Sequence, residues 1–194
     1  DEMIEHFDIA DINHSASSLN PSKLDWLNQH YMKTLPPAHV ARHLAWHLGG
    51  MGIDPGTGDG PDIEGVVEAQ AERSKTLVEM AGNSRFFYRE PEAYEEKAAR
   101  RHLIGAEAVL GSLHAALAAL EAWRSPAIHE AVSGVAEAHD LKMGRVAQPL
   151  RVAVAGGPVS PPIDVTLELL GRETALRRLD RARAWAAQQA TGEA

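Results

Sequence analysis

Cysteine is absent from this 194-residue sequence, so the chain can form neither a disulfide nor a thiolate metal site. No apolar run approaches the length that a membrane-spanning helix requires, and no signal peptide is visible. These absences favour a protein of the reducing cytoplasm that has no membrane partner. The sequence begins at Asp1 rather than at a methionine, and we expect it to be part of a longer protein.

Aromatic residues are scarce, at 5% of the chain, and strand-like alternation of polar and apolar residues is rare. The scarcity of aromatic residues disfavours the sheet-based RNA-binding modules, which stack bases on exposed rings. Most segments instead place apolar residues at the three- and four-residue intervals of a helix. We therefore predict an all-α fold.

Sequence motifs of catalysis are missing as well. The chain contains no paired carboxylates, nucleophile elbow, P-loop or dinucleotide-binding fingerprint. The glycine-rich stretch 49–60 follows a predicted helix rather than a strand, lacks lysine and contains two aspartates, so we interpret it as a flexible loop. We expect no catalytic residue, no metal and no cofactor in this chain.

One histidine pattern leaves a metal-dependent enzyme open as an alternative. His39, His43 and His47 are spaced four residues apart in a helix that Pro36-Pro37 opens and Gly49-Gly50 ends. Three imidazoles on one helix face can bind zinc, but a straight row does not converge on one ion and no carboxylate is placed to complete the shell. We favour a solvated or nucleic-acid-facing stripe, and stoichiometric binding of zinc or nickel would discriminate.

Charge is distributed unevenly along the chain. The formal net charge is −8, which argues against non-specific nucleic-acid binding by the whole surface. The segment from Lys142 to Arg183 nevertheless contains eight basic and four acidic residues. An acidic body with a basic end suits a protein that admits a polyanion at one place and repels it elsewhere.

The least generic stretch runs from Lys142 to Gly171. Two short apolar segments, 146–154 and 163–170, flank a turn rich in glycine and proline over residues 156–162. Such a turn is stiff, and it presents the guanidinium of Arg151 and the hydroxyl of Ser160 at low entropic cost. Spacing alone favours an ordinary helix–turn–helix corner with a solvated arginine, while the residue types also suit contact with a base edge and a phosphate.

Helix signals divide the rest of the chain. Asn20-Pro21 predicts a capped helix start, and Leu24, Leu27 and Tyr31 form its apolar face. Further helical segments are predicted over residues 37–48, in an acidic region over 61–80, from Pro91, over 103–122, from Ser125-Pro126 through Ala138, and over 174–190.

Three strings carry a resemblance to a known family. They are Met-Gly-Arg-Val-Ala-Gln-Pro-Leu-Arg over residues 143–151, followed by Gly156 and Ser160-Pro161; Lys-Leu-Asp-Trp-Leu-Asn-Gln-His-Tyr over 23–31; and Arg-Ser-Lys-Thr-Leu over 73–77. The chain resembles the C-terminal part of bacterial glutamyl-tRNA synthetases. The resemblance implies the end of a stem-contact region over residues 1–35, then an all-α anticodon-binding cage of two subdomains over 36–92 and 93–194.

The resemblance also implies which residues would contact RNA. Arg73 would read the third anticodon base, a cytosine, because its fork donates to the acceptor edge of that base. Arg151, Ser160, Pro161 and Ile163 would contact the first and second bases. Residues that we expect as phosphate contacts, with a solvated face as the alternative for the last three, are Lys142, Arg145, Arg177, Arg178 and Arg181.

The family's enzymes activate glutamate with ATP and magnesium and esterify tRNA-Glu. The nucleotide-binding motifs of the family are absent here, so we expect this stretch to be inactive alone and to bind tRNA-Glu as a monomer, without a DNA partner. Two alternatives stay open: a freestanding helical binding protein, and a relaxed synthetase that also charges glutamine tRNA. An upstream nucleotide-binding half would exclude the first, and an arginine at position 73 argues against the second.

Overall fold

In the computed structural model, residues 5–11, 20–58 and 60–192 are described. These residues form ten α-helices, two short 3₁₀-helices and no strand, which confirms the predicted all-α fold. No helix among them is both long enough and apolar enough to cross a membrane. The helices are α1 Pro21–Thr34, α2 Pro37–Gly50, α3 Ile63–Gln70, α4 Leu77–Tyr88, α5 Glu96–His102, α6 Glu107–Ala118, α7 Ser125–Ala138, α8 Met143–Ala155, α9 Ile163–Leu170 and α10 Arg172–Gly192.

The helices pack in two neighbouring groups around a continuous apolar core. In the first group α2 packs on α3 and α4, and in the second α7, α8 and α10 surround α6 while α5 packs on α8. The groups meet where α3 contacts α9 and α4 contacts α8. Apolar side chains of both groups belong to one buried cluster. The subdomain boundaries at residues 35/36 and 92/93 stay a prediction.

The predicted helix starts are confirmed in part. The side chain of Asn20 accepts a hydrogen bond of 3.0 Å from the Ser22 N–H, which is the expected cap of α1. Ser125 does not cap α7, because Arg124 occupies the capping position and Ser125 is the first helical residue. The Ser125 N–H instead donates to Glu168 Oε2 at 2.7 Å, so a carboxylate from α9 satisfies the free amide.

Three predicted helices are wrong in extent. The helix expected over residues 103–122 is shortened to α6, because the chain turns between α5 and α6 at Gly105, whose φ is +74°. The helix expected from Pro91 begins at Glu96. The acidic segment 61–80 is not one helix, since it breaks after α3 and restarts where Thr76 caps α4 by accepting from the Glu79 N–H at 3.1 Å. Arg73 lies in that break.

The corner between α8 and α9 has the predicted helix–turn–helix form. It turns at Gly156, which ends α8 with a φ of +80°. A Cβ added there would lie 2.8 Å from Pro91 Cβ, so the α4–α5 connection also requires glycine at this place. The Glu95 N–H donates to the Gly156 carbonyl at 2.7 Å. This hydrogen bond links the α4–α5 connection, which joins the two helix groups, to the corner.

Candidate nucleic-acid interface

Arg151 is held by the residue types that the sequence places beside it. Its Nε donates to Ser160 Oγ at 3.0 Å, and Ser160 Oγ donates in turn to the Pro161 carbonyl at 2.8 Å. The Thr166 hydroxyl lies 3.2 Å from the same carbonyl and 3.3 Å from Ser160 Oγ. The guanidinium is therefore fixed from the corner side, and the side chain is only partly exposed.

The other predicted contact residues of this corner lie beneath its surface. Ser160 is 5% exposed, Ile163 is 8% exposed and Pro161 is buried. Ile163 belongs to the apolar core, where it starts α9. The side chains of these three residues thus shape and support the position of Arg151, while the outer surface of the turn is formed by Val159 and Pro162, which are exposed.

Arg73 stands in the break between α3 and α4 with its side chain exposed. Its N–H donates to the Gln70 carbonyl at 2.9 Å, and the buried Gln70 side chain donates to the Asn83 carbonyl at 3.0 Å. Arg73 forms no ion pair with Glu72 or Glu68 in the described part of the chain. Glu72 pairs with Lys33 at 2.7 Å instead, so the Arg73 guanidinium has no acidic partner among the described residues.

Helix α1 fixes the backbone of this break. The Asn28 side chain donates to the Lys75 carbonyl at 2.7 Å, and the Gln29 side chain donates to the Glu72 carbonyl at 3.1 Å. The bonded carbonyls lie on either side of Arg73 in the sequence. Residues 28 and 29 belong to the Lys-Leu-Asp-Trp-Leu-Asn-Gln-His-Tyr string, so one resembling string positions another.

Arg73 and Arg151 lie close enough to affect each other. Burial lowers the pKa of the Arg151 guanidinium, and the positive charge of Arg73 lowers that pKa further. Neither guanidinium has a carboxylate partner among the described residues. Two cations without a carboxylate partner in the described part of the chain, one from each helix group, therefore lie within electrostatic reach of each other, and an anionic ligand between them would be stabilised.

A groove of about 570 Å³ runs beside Arg73, between α3 and α9. Its walls combine the Arg73 side chain with apolar surface from Val165 and Leu169. Helices α3 and α9 approach each other closely at Gly65, because a Cβ added there would lie 3.1 Å from the Leu169 side chain. Carboxylates also line the groove: Glu68, Glu72 and Glu168. The groove thus offers apolar faces together with both hydrogen-bond donors and acceptors.

The arginines of α10 are engaged within the protein. Arg177, Arg178 and Arg181 lie 2.7, 3.4 and 3.4 Å from the Glu90 carboxylate, in the α4–α5 connection. Burial by itself raises the pKa of Glu90, but the hydrogen bond from Arg177 and the three positive charges outweigh it, so the pKa lies below the usual value. Arg177 and Arg181 keep exposed surface beside this carboxylate.

Arg178 is buried, and this corrects the expectation that it contacts phosphate. Its side chain is 2% exposed, and the guanidinium donates to the Val154 and Arg89 carbonyls as well as to Glu90. A guanidinium enclosed in this way is a structural link between α8, α10 and the connection. Sequence spacing missed it because Glu90 is 88 residues away in the chain.

Lys142 and Arg145, by contrast, are exposed at the start of α8. Neither side chain has an ion pair among the described residues, so both stay available to a phosphate.

The histidine stripe of α2 shows local contacts only, with the His39 and His43 ring centroids 5.2 Å apart and Arg42 Nη2 lying 3.2 Å from His39 Nδ1. The described residues contain no group of three or more His, Cys, Asp or Glu that could hold a metal ion.

A family model described as an anticodon binding domain matches residues 38–183. The chain belongs to the anticodon-binding domain family. The matched span of this anticodon-binding domain contains both Arg73 and Arg151, and it covers α2 through most of α10. Helix α1, which fixes the backbone on either side of Arg73, precedes the span.

The anticodon-binding domain is similar to curated glutamate–tRNA ligases, which confirms the resemblance found in the sequence. It is 59% identical over 193 residues to glutamate–tRNA ligase 1 of Alkalilimnicola ehrlichii, covering 99% of this chain and 41% of that protein. It is 57% identical over 187 residues to glutamate–tRNA ligase 1 of Nitrosococcus oceani, covering 95% and 39%. The chain thus spans about two fifths of the length of these relatives.

Solved structures support the fold. A glutamate–tRNA ligase from Elizabethkingia meningosepticum in complex with its amino acid aligns with a TM-score of 0.81 at 23% identity, over 94% of this chain and 36% of that one. A glutamate–tRNA synthetase from Elizabethkingia anophelis aligns with a TM-score of 0.78 at 23% identity, over 94% and 35%. The helical arrangement of the anticodon-binding domain is therefore that of known proteins.

Proposed function

We propose that this chain is the anticodon-binding part of a glutamate–tRNA ligase and that it recognises the anticodon loop of tRNA-Glu. The observation that carries the proposal is the pair Arg73 and Arg151, two guanidiniums without carboxylate partners among the described residues that lie within electrostatic reach of each other at the junction of the helix groups. An anticodon loop supplies what this surface lacks, since it brings phosphate charge and unstacked base edges together.

Arg73 would read the third base of the anticodon. A guanidinium donates two parallel hydrogen bonds, which match the adjacent acceptors on the Watson–Crick edge of cytosine. The groove between α3 and α9 supports this role, because its apolar walls suit the faces of a base while Arg73 lies at its edge. The fixed carbonyls of Glu72 and Lys75 keep the reading side chain in register.

Arg151 would contact the first and second anticodon bases, together with the turn between α8 and α9. Ser160 holds the guanidinium, and Pro161 and Ile163 give the buried support on which the turn rests. Ser160, Pro161 and Ile163 would contact the bases through the surface of the turn rather than through freely exposed side chains. A rigid, preoriented arginine loses little conformational entropy on binding, which suits a residue that must select a base.

The chemistry of the ligase would lie outside this chain. Glutamate activation uses ATP and magnesium, and the nucleotide-binding motifs of the family are absent from this sequence. We therefore assign the chain no chemical step. Its proposed contribution is to bind tRNA-Glu as a cytoplasmic monomer and so to let the whole enzyme select this tRNA. We expect this part alone to be catalytically inactive.

A binding titration with RNA hairpins tests the proposal. The native anticodon stem-loop of tRNA-Glu is compared with one whose third anticodon cytosine is replaced by guanine, and with one whose stem pairs are inverted. We expect the guanine loop to bind more weakly at low and at raised salt, and the inverted stem to bind like the native loop. Equal affinities that fall together with salt would reveal electrostatic attraction alone and would contradict base recognition.

A further inference from the structure

A second groove lies away from the α3–α9 groove, between the end of α5 and the start of α8. Its volume is about 570 Å³. Arg101 and His102 reach it from α5, and Arg145 reaches it from the first turn of α8. Its remaining surface is largely apolar and includes Ile104, Val109, Leu141 and Pro149. We refer to Arg101, His102 and Arg145 with this surface as the α5–α8 groove.

The arginines of the α5–α8 groove have no acidic partner among the described residues. No Asp or Glu is among the residues that line it, and Glu107, which follows the lining residue Ala106, is not one of them. Arg101, His102 and Arg145 form no ion pair or side-chain hydrogen bond with the described residues. The adjacent Arg100 differs, because it pairs with Glu96 at 3.1 Å.

The two guanidiniums and the imidazole of the α5–α8 groove lie within electrostatic reach of one another. Burial lowers the pKa of His102, and the charges of Arg101 and Arg145 lower it further. Both guanidiniums therefore lie within electrostatic reach of one imidazole, although they come from different helices. Their mutual repulsion costs free energy, and an anion between them would remove that cost.

The backbone leaves room for such an anion. Gly105 and Gly144 line the groove, and a Cβ added at either position would meet nothing within 4 Å. The first turn of α8 adds partial positive charge from its free N–H groups to the side-chain charges. Space, donors and uncompensated positive charge thus coincide at one place.

We propose that the α5–α8 groove binds a phosphate group through Arg101, Arg145 and His102. The shared chemistry is that of phosphate oxygens, and the source is either the backbone of a bound RNA or free phosphate. The RNA source rests on the proposed function, and it would add a backbone contact at a place separate from Arg73 and Arg151.

This contact would position RNA without reading its sequence. Arg101 and Arg145 are exposed and lack the fixed hydrogen bonds that orient Arg151, so they suit a phosphate better than a base edge. Each phosphate contact to single-stranded RNA contributes roughly 0.7 to the slope of log affinity against log salt. Loss of the groove should therefore flatten the salt dependence and leave the preference between anticodon bases unchanged.

The test follows the His102 ring resonances by NMR while inorganic phosphate or the native anticodon stem-loop is added. The variants are Arg101→Ala combined with Arg145→Ala, and Arg100→Ala as the control that removes a neighbouring charge outside the groove. Circular dichroism establishes that each variant is folded. Affinities of the native and third-base-changed stem-loops are measured at several salt concentrations in parallel.

We expect the His102 resonances to shift in the wild type and in Arg100→Ala, and to stay unchanged in the double variant. A shift at stem-loop concentrations far below those of inorganic phosphate, with a flatter salt slope in the double variant, identifies the RNA backbone as the source. A shift with inorganic phosphate alone identifies free phosphate, even if base preference fails. Unchanged His102 resonances with both ligands would overturn the groove proposal, whether or not the chain prefers the native anticodon.

Discussion

Arg151 Nε donates to Ser160 Oγ at 3.0 Å across the corner between α8 and α9. The two residues are nine apart in sequence, and the positive φ of Gly156 brings them together. Ser160 is 5% exposed, so the bond is shielded from water and the guanidinium is oriented by the protein. The corner therefore presents one preoriented cation at the junction of the two helix groups.

Removing this support should loosen Arg151. In Ser160→Ala the Arg151 Nε loses its acceptor and the Thr166 hydroxyl loses a neighbour, so we expect the free energy of unfolding to fall by about 1–2 kcal/mol. Affinity for the native anticodon stem-loop should fall as well. Ser133→Ala, on α7, is the matched control and should change neither quantity. Chemical denaturation and RNA titration measure both, and an unchanged affinity in Ser160→Ala would show that the bond does not serve binding.

Glu90 should be more important for stability than its exposed neighbour. Glu90→Gln removes the charge that pairs with Arg177, Arg181 and the buried Arg178, and we expect a loss of about 1–3 kcal/mol. Glu92→Gln, which removes an exposed pair with Arg85, should cost less than about 1 kcal/mol.

The same comparison has a defined pH dependence. Because the folded pKa of Glu90 is lowered, its contribution is fully present above the unfolded value of 4.5 and is lost as the pH falls through the folded pKa. The stability difference between wild type and Glu90→Gln should therefore be constant near neutral pH and shrink below pH 4.5. Denaturation curves from pH 3 to 7 measure it, and a difference that grows on acidification would contradict the charge pairing.

The glycine at the corner should not tolerate alanine. Gly156→Ala places a Cβ 2.8 Å from Pro91 Cβ at a residue whose φ is +80°, and we expect a loss of about 1–3 kcal/mol. Gly134 on α7 is a helical glycine with nothing within 4 Å of an added Cβ, so Gly134→Ala should stabilise by roughly 0.5–1 kcal/mol. Thermal denaturation of the pair separates backbone geometry from a general effect of glycine replacement.

Binding should depend on Arg151 more than on the arginines of α10. Arg151→Ala removes an oriented donor and should weaken stem-loop binding by about 1–3 kcal/mol. Arg177→Ala and Arg181→Ala remove side chains that Glu90 already engages, so we expect smaller losses with a reduced salt slope. Equal losses in all three variants would make Arg151 one more phosphate contact.

Much of this architecture could be predicted from local sequence. The Asn20-Pro21 signal, the apolar segments beside the turn and the Gly156 corner depend on neighbouring residues, so spacing and turn chemistry indicate them. The expectation that Arg73 reads the third anticodon base rests on the resemblance. The lack of an Arg73–Glu72 ion pair among the described residues could not be predicted, because it depends on Lys33, which pairs with that carboxylate.

Long-range pairing could not be predicted from spacing. Arg178 has the same local pattern as Arg177 and Arg181, yet it alone is buried, because Glu90 and the end of α8 meet it from distant parts of the chain. The break at Arg73 was likewise missed, since helical periodicity continues across it while Gln70 and α1 hold its backbone. The consecutive basic residues Arg100, Arg101 and His102 are visible in the sequence. Only the fold shows that Arg101 and His102 lie beside Arg145 in the α5–α8 groove.

The central claim, that Arg73 reads the third anticodon base, is tested most directly by Arg73→Gln. The measured quantity is the ratio of affinities for the native stem-loop and the loop with guanine at the third anticodon position, for wild type, Arg73→Gln and the control Arg100→Gln. We expect the discrimination free energy that corresponds to this ratio to fall by about 1–3 kcal/mol in Arg73→Gln, the range for a bidentate base contact, and to be unchanged in the control. An unchanged ratio in Arg73→Gln would show that another residue reads that base.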